Sequence, residues 1–203
     1  MRPKNKIPPI IIMLSGKAQS GKDTIAKIIA SEMQYGIEDP LNDDYRFFSH
    51  VAKIGFADLL KSLCARNHGY KNKKEDREIL LRVGDEMREQ DPDAFVKPVA
   101  HFVEVYRDMG YGVIVVTDTR YQNEYDYMNE YSCGLPYVIR INSTNGHNGI
   151  SEFTKNHPSE QLEVEYDFQL DTPKLTPDTY PMVIREVRRI LGEIISDYRE
   201  RYN

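Results

Sequence analysis

The chain has 203 residues, of which 40% are hydrophobic and 29% charged, and a net charge of -5; this suits one buried core with a small inserted lobe and excludes two full domains. The acidic balance excludes a surface built to coat a nucleic-acid polymer, which needs a basic excess to displace counterions. Cys64 and Cys133 have neither metal-ligand spacing nor the density of a disulfide scaffold, so they read as core thiols in a reducing cytosol.

The stretch "IPPIIIML" is too short for a bilayer and carries two prolines, and "MRPKNK" is not followed by a signal-peptide core, so a soluble, cytoplasmic protein is expected. Ile10–Leu14 is an unbroken aliphatic run between Pro9 and Gly16, the pattern of a strand buried on both faces. Ile25, Ile28, Ile29 and Met33 then recur at helical spacing, giving strand, glycine loop, helix. Residues 36–46 are polar and turn-rich, a surface loop. A short apolar piece around Ile54 and Phe56 leads into a helix that stops near Gly69. "KNKKEDRE" is a solvated charge run, and Ile79, Leu80 and Val83 mark the next helix. Asp91 reads as the N-cap of a further helix, with Pro92 in its first turn, Pro98 a source of a kink and Gly110 its stop.

"GVIVVTDTR" is a second buried strand with Asp118 at its C-terminal end, and "NEYDYMNEY" is a helix. "LPYVIRIN" is a third strand, residues 143–160 form an unpatterned polar segment, and "YDFQLDT" is a short last strand. From about Pro177 the chain is helical, with Val183, Val187, Ile190, Leu191 and Ile194 on one face. Strands alternating with helices predict an α/β fold with a mainly parallel sheet covered on both sides.

"SGKAQSGKDT" carries the chemistry. Gly16 and Gly21 let successive N–H groups turn inward on an anion, the helix adds its positive end, and Lys22 supplies a mobile cation for β- and γ-phosphates. Lys17, Ser20 and Thr24 complete the cofactor-binding stretch. Asp23 stands where such loops place a magnesium-binding hydroxyl. It fits a metal ligand or an orienter of the acceptor, and the helix dipole alone also favours an aspartate there. In open parallel sheets the ligand crevice lies beyond the carboxyl ends of the strands, so Asp118 and Arg120 leave theirs on the loop's side. There a carboxylate can hold magnesium through water and a guanidinium can grip phosphate with two N–H groups.

Taken together, "SGKAQSGKDT", "FADLLK", "VTDTRYQNE" and "HPSE" resemble, in that order, the phage-type deoxynucleoside monophosphate kinases, a branch of the P-loop kinases. The resemblance covers roughly residues 10–172. It implies a three-layer P-loop fold in one domain, with a substrate-binding insertion over about 52–110 and a small lid over about 142–160. ATP and Mg2+ are the implied cofactors, a deoxynucleoside monophosphate the implied acceptor, and a homodimer the implied assembly, with no nucleic-acid polymer or membrane as partner. Carried onto this chain, Lys22 clamps phosphate, Asp23 and Asp118 serve the metal, and Lys61, Arg77, Arg88, Asp118, Arg120 and Glu124 hold the acceptor. Phe95 falls where the family has an aromatic that stacks on a base, and equally reads as a core aromatic of an amphipathic helix.

The chain departs from the family in two ways. Ala18 and Gln19 stand where basic residues are common, leaving Lys17 to supply that charge, and the lid segment has Lys155 as its one strong cation. Arg88 and Arg140 are the candidates for the missing lid arginine. His157, Ser159 and Glu160 read as lid and helix-cap architecture. A kinase for another phosphorylated small molecule, such as phosphomevalonate, and a regulatory module that binds ATP without transfer remain the alternatives.

Overall fold

A computed structural model describes residues 7–36, 50–69, 71, 76–144, 152–161 and 164–202. The chain runs β1 (Ile10–Ser15), α1 (Lys22–Ser31), a wide turn (Glu32–Gly36), β2 (Val51–Ile54), α2 (Ala57–His68), α3 (Arg77–Gln90), α4 (Val96–Asp108) and β3 (Val113–Thr119). It continues through α5 (Gln122–Tyr131), β4 (Leu135–Ser143), a one-turn α6 (Glu152–Lys155), a tight turn (Pro158–Glu160), β5 (Phe168–Thr172) and α7 (Tyr180–Tyr202). Residues 37–46 of the expected surface loop and residues 72–75 of the 71–78 charge run lie outside the described residues.

The five strands form one sheet in the order β2-β3-β1-β4-β5, every pair parallel. β1 is central, which explains its composition: with helices on both faces no position can be polar, and Ile10 to Leu14 are all fully buried. Because successive side chains point to opposite faces, Ile10, Ile12 and Leu14 join one core with Ile25, Ile28 and Ile29 of α1 and Val187, Ile190, Leu191 and Ile194 of α7. Ile11 and Met13 join the other with Leu60 and Cys64 of α2, Val96, Val99 and Val103 of α4, and Met128 of α5. Each such aliphatic side chain contributes roughly 1.5–3 kcal/mol by leaving water, so a charge at Ile12 would remove the centre of the first core. This is a three-layer α/β fold, a parallel sheet covered by helices on both faces. The short β2, read from sequence only as an apolar piece, is the edge strand of the main sheet, so residues 52–54 belong to the sheet. Asn142 and Ser143, placed in the lid by sequence, belong to β4.

The start of α4 differs from expectation. Asp91 ends α3 instead of opening α4, and its carboxylate takes the Asp93 N–H (3.0 Å) and Lys97 Nζ (2.6 Å). Residues 92–95 form turns and the helix begins at Val96. Pro98 therefore sits in the first turn, where no intrahelical N–H bond is made, so nothing forces a kink. Gly69 and Gly110 have φ of 67° and 89°, which is why both helices stop at glycine. Among the described residues no helix is long and apolar enough to cross a membrane. Cys64 is buried, whereas Cys133 is only partly so.

Candidate functional site

The glycine loop lies at the head of α1, beyond the carboxyl end of the central strand. Gly16 is there because β4 comes close: a Cβ would stand 2.8 Å from the Ile141 carbonyl oxygen and 2.7 Å from Ser20 Oγ. The backbone then turns sharply through Gln19 (φ 62°) and Gly21 (φ 88°). The Gly21 carbonyl accepts the Thr24 and Ile25 N–H groups at 2.9 and 3.0 Å, starting the helix. No side chain caps α1, and an uncapped helix start is a natural seat for an anion.

Lys22 is folded back onto the loop, its Nζ donating to the Gly16 (2.6 Å) and Lys17 (2.7 Å) carbonyls and to Ser20 Oγ (3.3 Å). Burial first, then Arg120 and Arg77, pull its ammonium well below the ordinary lysine pKa, opposed by Glu160 and Asp118. Opposite the loop, one carboxylate gathers the other charged groups. Glu160 Oε2 accepts the Ala18 N–H (2.7 Å), while Oε1 accepts Arg77 (2.7 Å) and Arg120 Nη1 (3.2 Å). Arg120 Nη1 also donates to the Ser159 carbonyl at 3.1 Å. Burial pushes the Glu160 carboxyl up, but Arg120, the Ala18 N–H, Arg77 and Lys22 together outweigh it and hold it below the ordinary glutamate value.

Beside this cluster is a second one. Arg88 lies between two aromatic faces, 4.7 Å from the Phe95 ring centre and 4.4 Å from that of Tyr121, with Nη2 3.9 Å from Glu124 Oε1. Glu124 Oε2 accepts the Arg120 (2.7 Å) and Tyr121 (3.2 Å) N–H groups, so it fixes both the start of α5 and the arginine before it. Its carboxyl is pushed up to about 7, chiefly by burial.

Lys22, Arg77 and Arg120, proposed from sequence, are thus brought together around the loop, with Arg88 and Glu124 adjoining. Phe95 is 2% exposed and covered by Arg88, so it is a core aromatic here. Asp118 turns both oxygens to the start of α2, accepting the Phe56 (2.6 Å) and Ala57 (3.0 Å) N–H groups. Asp23 is exposed, with Lys53 Nζ 3.8 Å away, and Lys61 pairs with Asp58 at 3.2 Å. Lys17 and Thr24 are exposed and Ser20 buried. Arg140 is held by the Val164 carbonyl and the Tyr166 ring, and Lys155 pairs with Glu152 (2.6 Å), so neither is at the loop.

His157 fits its architectural reading. Its Nδ1 accepts the Ser159 N–H (3.2 Å), which leaves the proton on Nε2 to be donated to Asp85 Oδ2 (2.8 Å). Glu160 outgrows that reading, because it reaches a loop amide 142 positions away. The segment expected to bring a cation brings an anion, and no local pattern foretells it. Tyr121, the second ring against Arg88, was also missed; its place beside "DTR" was the available signal.

No protein-family model matches the sequence, and no curated protein matches it. Similar solved structures include an APS kinase of Mycobacterium tuberculosis in complex with AMPPNP and APS, 12% identical over 93% of this chain and 98% of that one, with a TM-score of 0.49. A sugar kinase from a Janibacter species is 15% identical over 91% and 95%, with a TM-score of 0.47. A gluconokinase from Sinorhizobium meliloti is 15% identical over 98% and 100%, with a TM-score of 0.46. These are likenesses of chain path.

Proposed function

We propose that the chain is a phosphotransferase that moves the γ-phosphate of ATP to a deoxynucleoside monophosphate, yielding a deoxynucleoside diphosphate and ADP. The observation that supports this most is the convergence of Arg77, Arg120 and the Ala18 N–H on one buried anion beside Lys22. A glycine loop alone suits any nucleotide-binding protein. Two guanidinium groups facing it are what a second substrate with its own phosphate needs.

In this reading the loop amides and the α1 N-terminus hold the polyphosphate, and Lys22 leaves the Gly16 and Lys17 carbonyls for the β- and γ-oxygens. Arg77 and Arg120 hold the acceptor phosphate in line and neutralise charge that builds during a loose transfer. No general base is required, because the acceptor oxygen is already ionised; His157, committed to Ser159 and Asp85, serves to place its segment. The Glu160 carboxylate on a loop amide is a stand-in for phosphate, so the residues present fit a polyphosphate.

Magnesium would be held between the polyphosphate and the Asp23 and Thr24 oxygens in the first turn of α1. Bound there, magnesium would neutralise phosphate charge. We assign Asp118 to positioning: it ties the β3 end to α2, and with Glu124 it sets where Arg120 emerges. Lys61 and Arg88 we place around the sugar and base, with Phe95 as the buried ring behind Arg88, in a single kinase unit acting as a cytoplasmic homodimer.

A coupled ADP-release assay over the deoxynucleoside monophosphates tests the reading. Release stimulated by one or several of them is expected. Stimulation by phosphomevalonate alone would move the substrate to another phosphorylated small molecule, and no stimulation by any phosphate acceptor would leave an ATP-binding module.

A further inference from the structure

We propose that Glu160 is an internal competitor for phosphate at the glycine loop and its two facing arginines, holding the seat made by the Ala18 N–H, Arg77 and Arg120 until a phosphate group displaces it. This rests on reading that seat as a phosphate site. The Ala18 N–H is a single donor, engaged at 2.7 Å, and cannot serve Glu160 and an incoming phosphate together. Arg77 and Arg120 Nη1 both donate to the other oxygen of that carboxylate, Glu160 Oε1, at 2.7 and 3.2 Å. A ligand that takes the Ala18 N–H must therefore move the Glu160 carboxylate off the loop.

Charge decides what can do so. Lys22, Arg77 and Arg120 bring three cationic groups to the seat, and Glu160 returns one negative charge. A monoanion gains little by exchanging with a carboxylate already tethered there, since the tethered group has no association entropy to lose. A phosphomonoester dianion adds a second charge and a third oxygen for the same donors. The competitor thus selects a phosphomonoester over a carboxylate or a phosphodiester. Glu160 ends a three-residue turn joined to α3 through the His157–Asp85 contact at 2.8 Å, a contact that does not involve the carboxylate and can persist when it leaves.

The test is pyrophosphate binding, measured by calorimetry on the full chain and on Glu160→Gln and Glu160→Asp, with amide exchange followed in the unmodified protein. If the seat is filled by Glu160 nine-tenths of the time, Glu160→Gln tightens binding about tenfold. Glu160→Asp keeps the charge but loses a methylene of reach, and tightens binding as well, by less. In the unmodified protein the amides of Ser159, Glu160 and Gln161 exchange faster once pyrophosphate binds. Unchanged or weaker binding by Glu160→Gln would make Glu160 an organiser of the arginines and overturn the proposal. So would tightening in Glu160→Gln with none in Glu160→Asp, which is charge repulsion alone, or exchange that stays the same or slows. Because exchange is read on the unmodified protein, the test survives a variant that fails to fold. Binding by the unmodified protein without the Glu160→Gln gain would remove only the competitor; no pyrophosphate binding by any form would remove the phosphate seat with it.

Discussion

Replacing Glu124 by Gln is expected to flatten the dependence of stability on pH. The carboxyl is 3% exposed, and burial raises its pKa from 4.5 to about 7 in spite of the Arg120 and Tyr121 N–H groups and Arg88. The folded protein therefore holds this proton more tightly than the unfolded chain. Its contribution is fully present below pH 4.5 and is lost as pH rises through 7. A gap of about 2.5 pH units corresponds to about 3 kcal/mol, of which about 2 kcal/mol falls between pH 5 and 7. Glutamine keeps the shape and an oxygen for the two backbone N–H groups but does not titrate. Urea unfolding of both proteins at pH 5, 6, 7 and 8 gives the difference in stability at each pH. The parent should lose about 2 kcal/mol relative to Glu124→Gln from pH 5 to 7. A difference constant across that range would mean that Arg88, 3.9 Å away, keeps the carboxylate ionised throughout, and the burial argument would fall.

Three further outcomes follow from the geometry. Gly134→Ala should cost about 1–3 kcal/mol in urea unfolding, because its Cβ would stand 2.8 Å from the Pro9 carbonyl oxygen and 2.5 Å from Ile11 Cδ1; unchanged stability would refute the close approach. Arg120→Ala should raise the KM for the acceptor far more than that for ATP, whereas a fall in Tm with both constants unchanged would make the arginine structural. Asp23→Asn should weaken the magnesium dependence and lower turnover while Asp23→Ser retains much of the activity, since hard oxygen ligands are partly interchangeable around magnesium. A Ser variant as inactive as Asp23→Ala, with a parent-like magnesium titration, would reassign Asp23 to the acceptor.

The parts of the fold that sequence made legible are those in which one local rule acts alone. Ile10–Leu14 and Val113–Val116 are unbroken aliphatic runs because both faces of the central strands are covered, and Gly69 and Gly110 stop helices through positive φ. The start of α4 was misread because Asp91 does accept the Asp93 N–H as an N-cap would, yet residues 92–95 make turns and the helix begins only at Val96. The candidate site divides in the same way. The loop and "DTR" were visible because short-range chemistry defines them. The partners of Asp118 and Glu160 were not, since they lie 61–62 and 142 positions away in the chain and only the folded sheet brings them together.

The central claim is that this loop passes a phosphoryl group to a phosphate acceptor. Incubation with ATP labelled at the γ-phosphate and each deoxynucleoside monophosphate, followed by separation of the products, measures it directly. Label should appear in a deoxynucleoside diphosphate, and Lys22→Ala, with its fold intact, should lower that transfer on the order of a hundredfold or more. Label found only in inorganic phosphate, or transfer unaffected by Lys22→Ala, would contradict the claim.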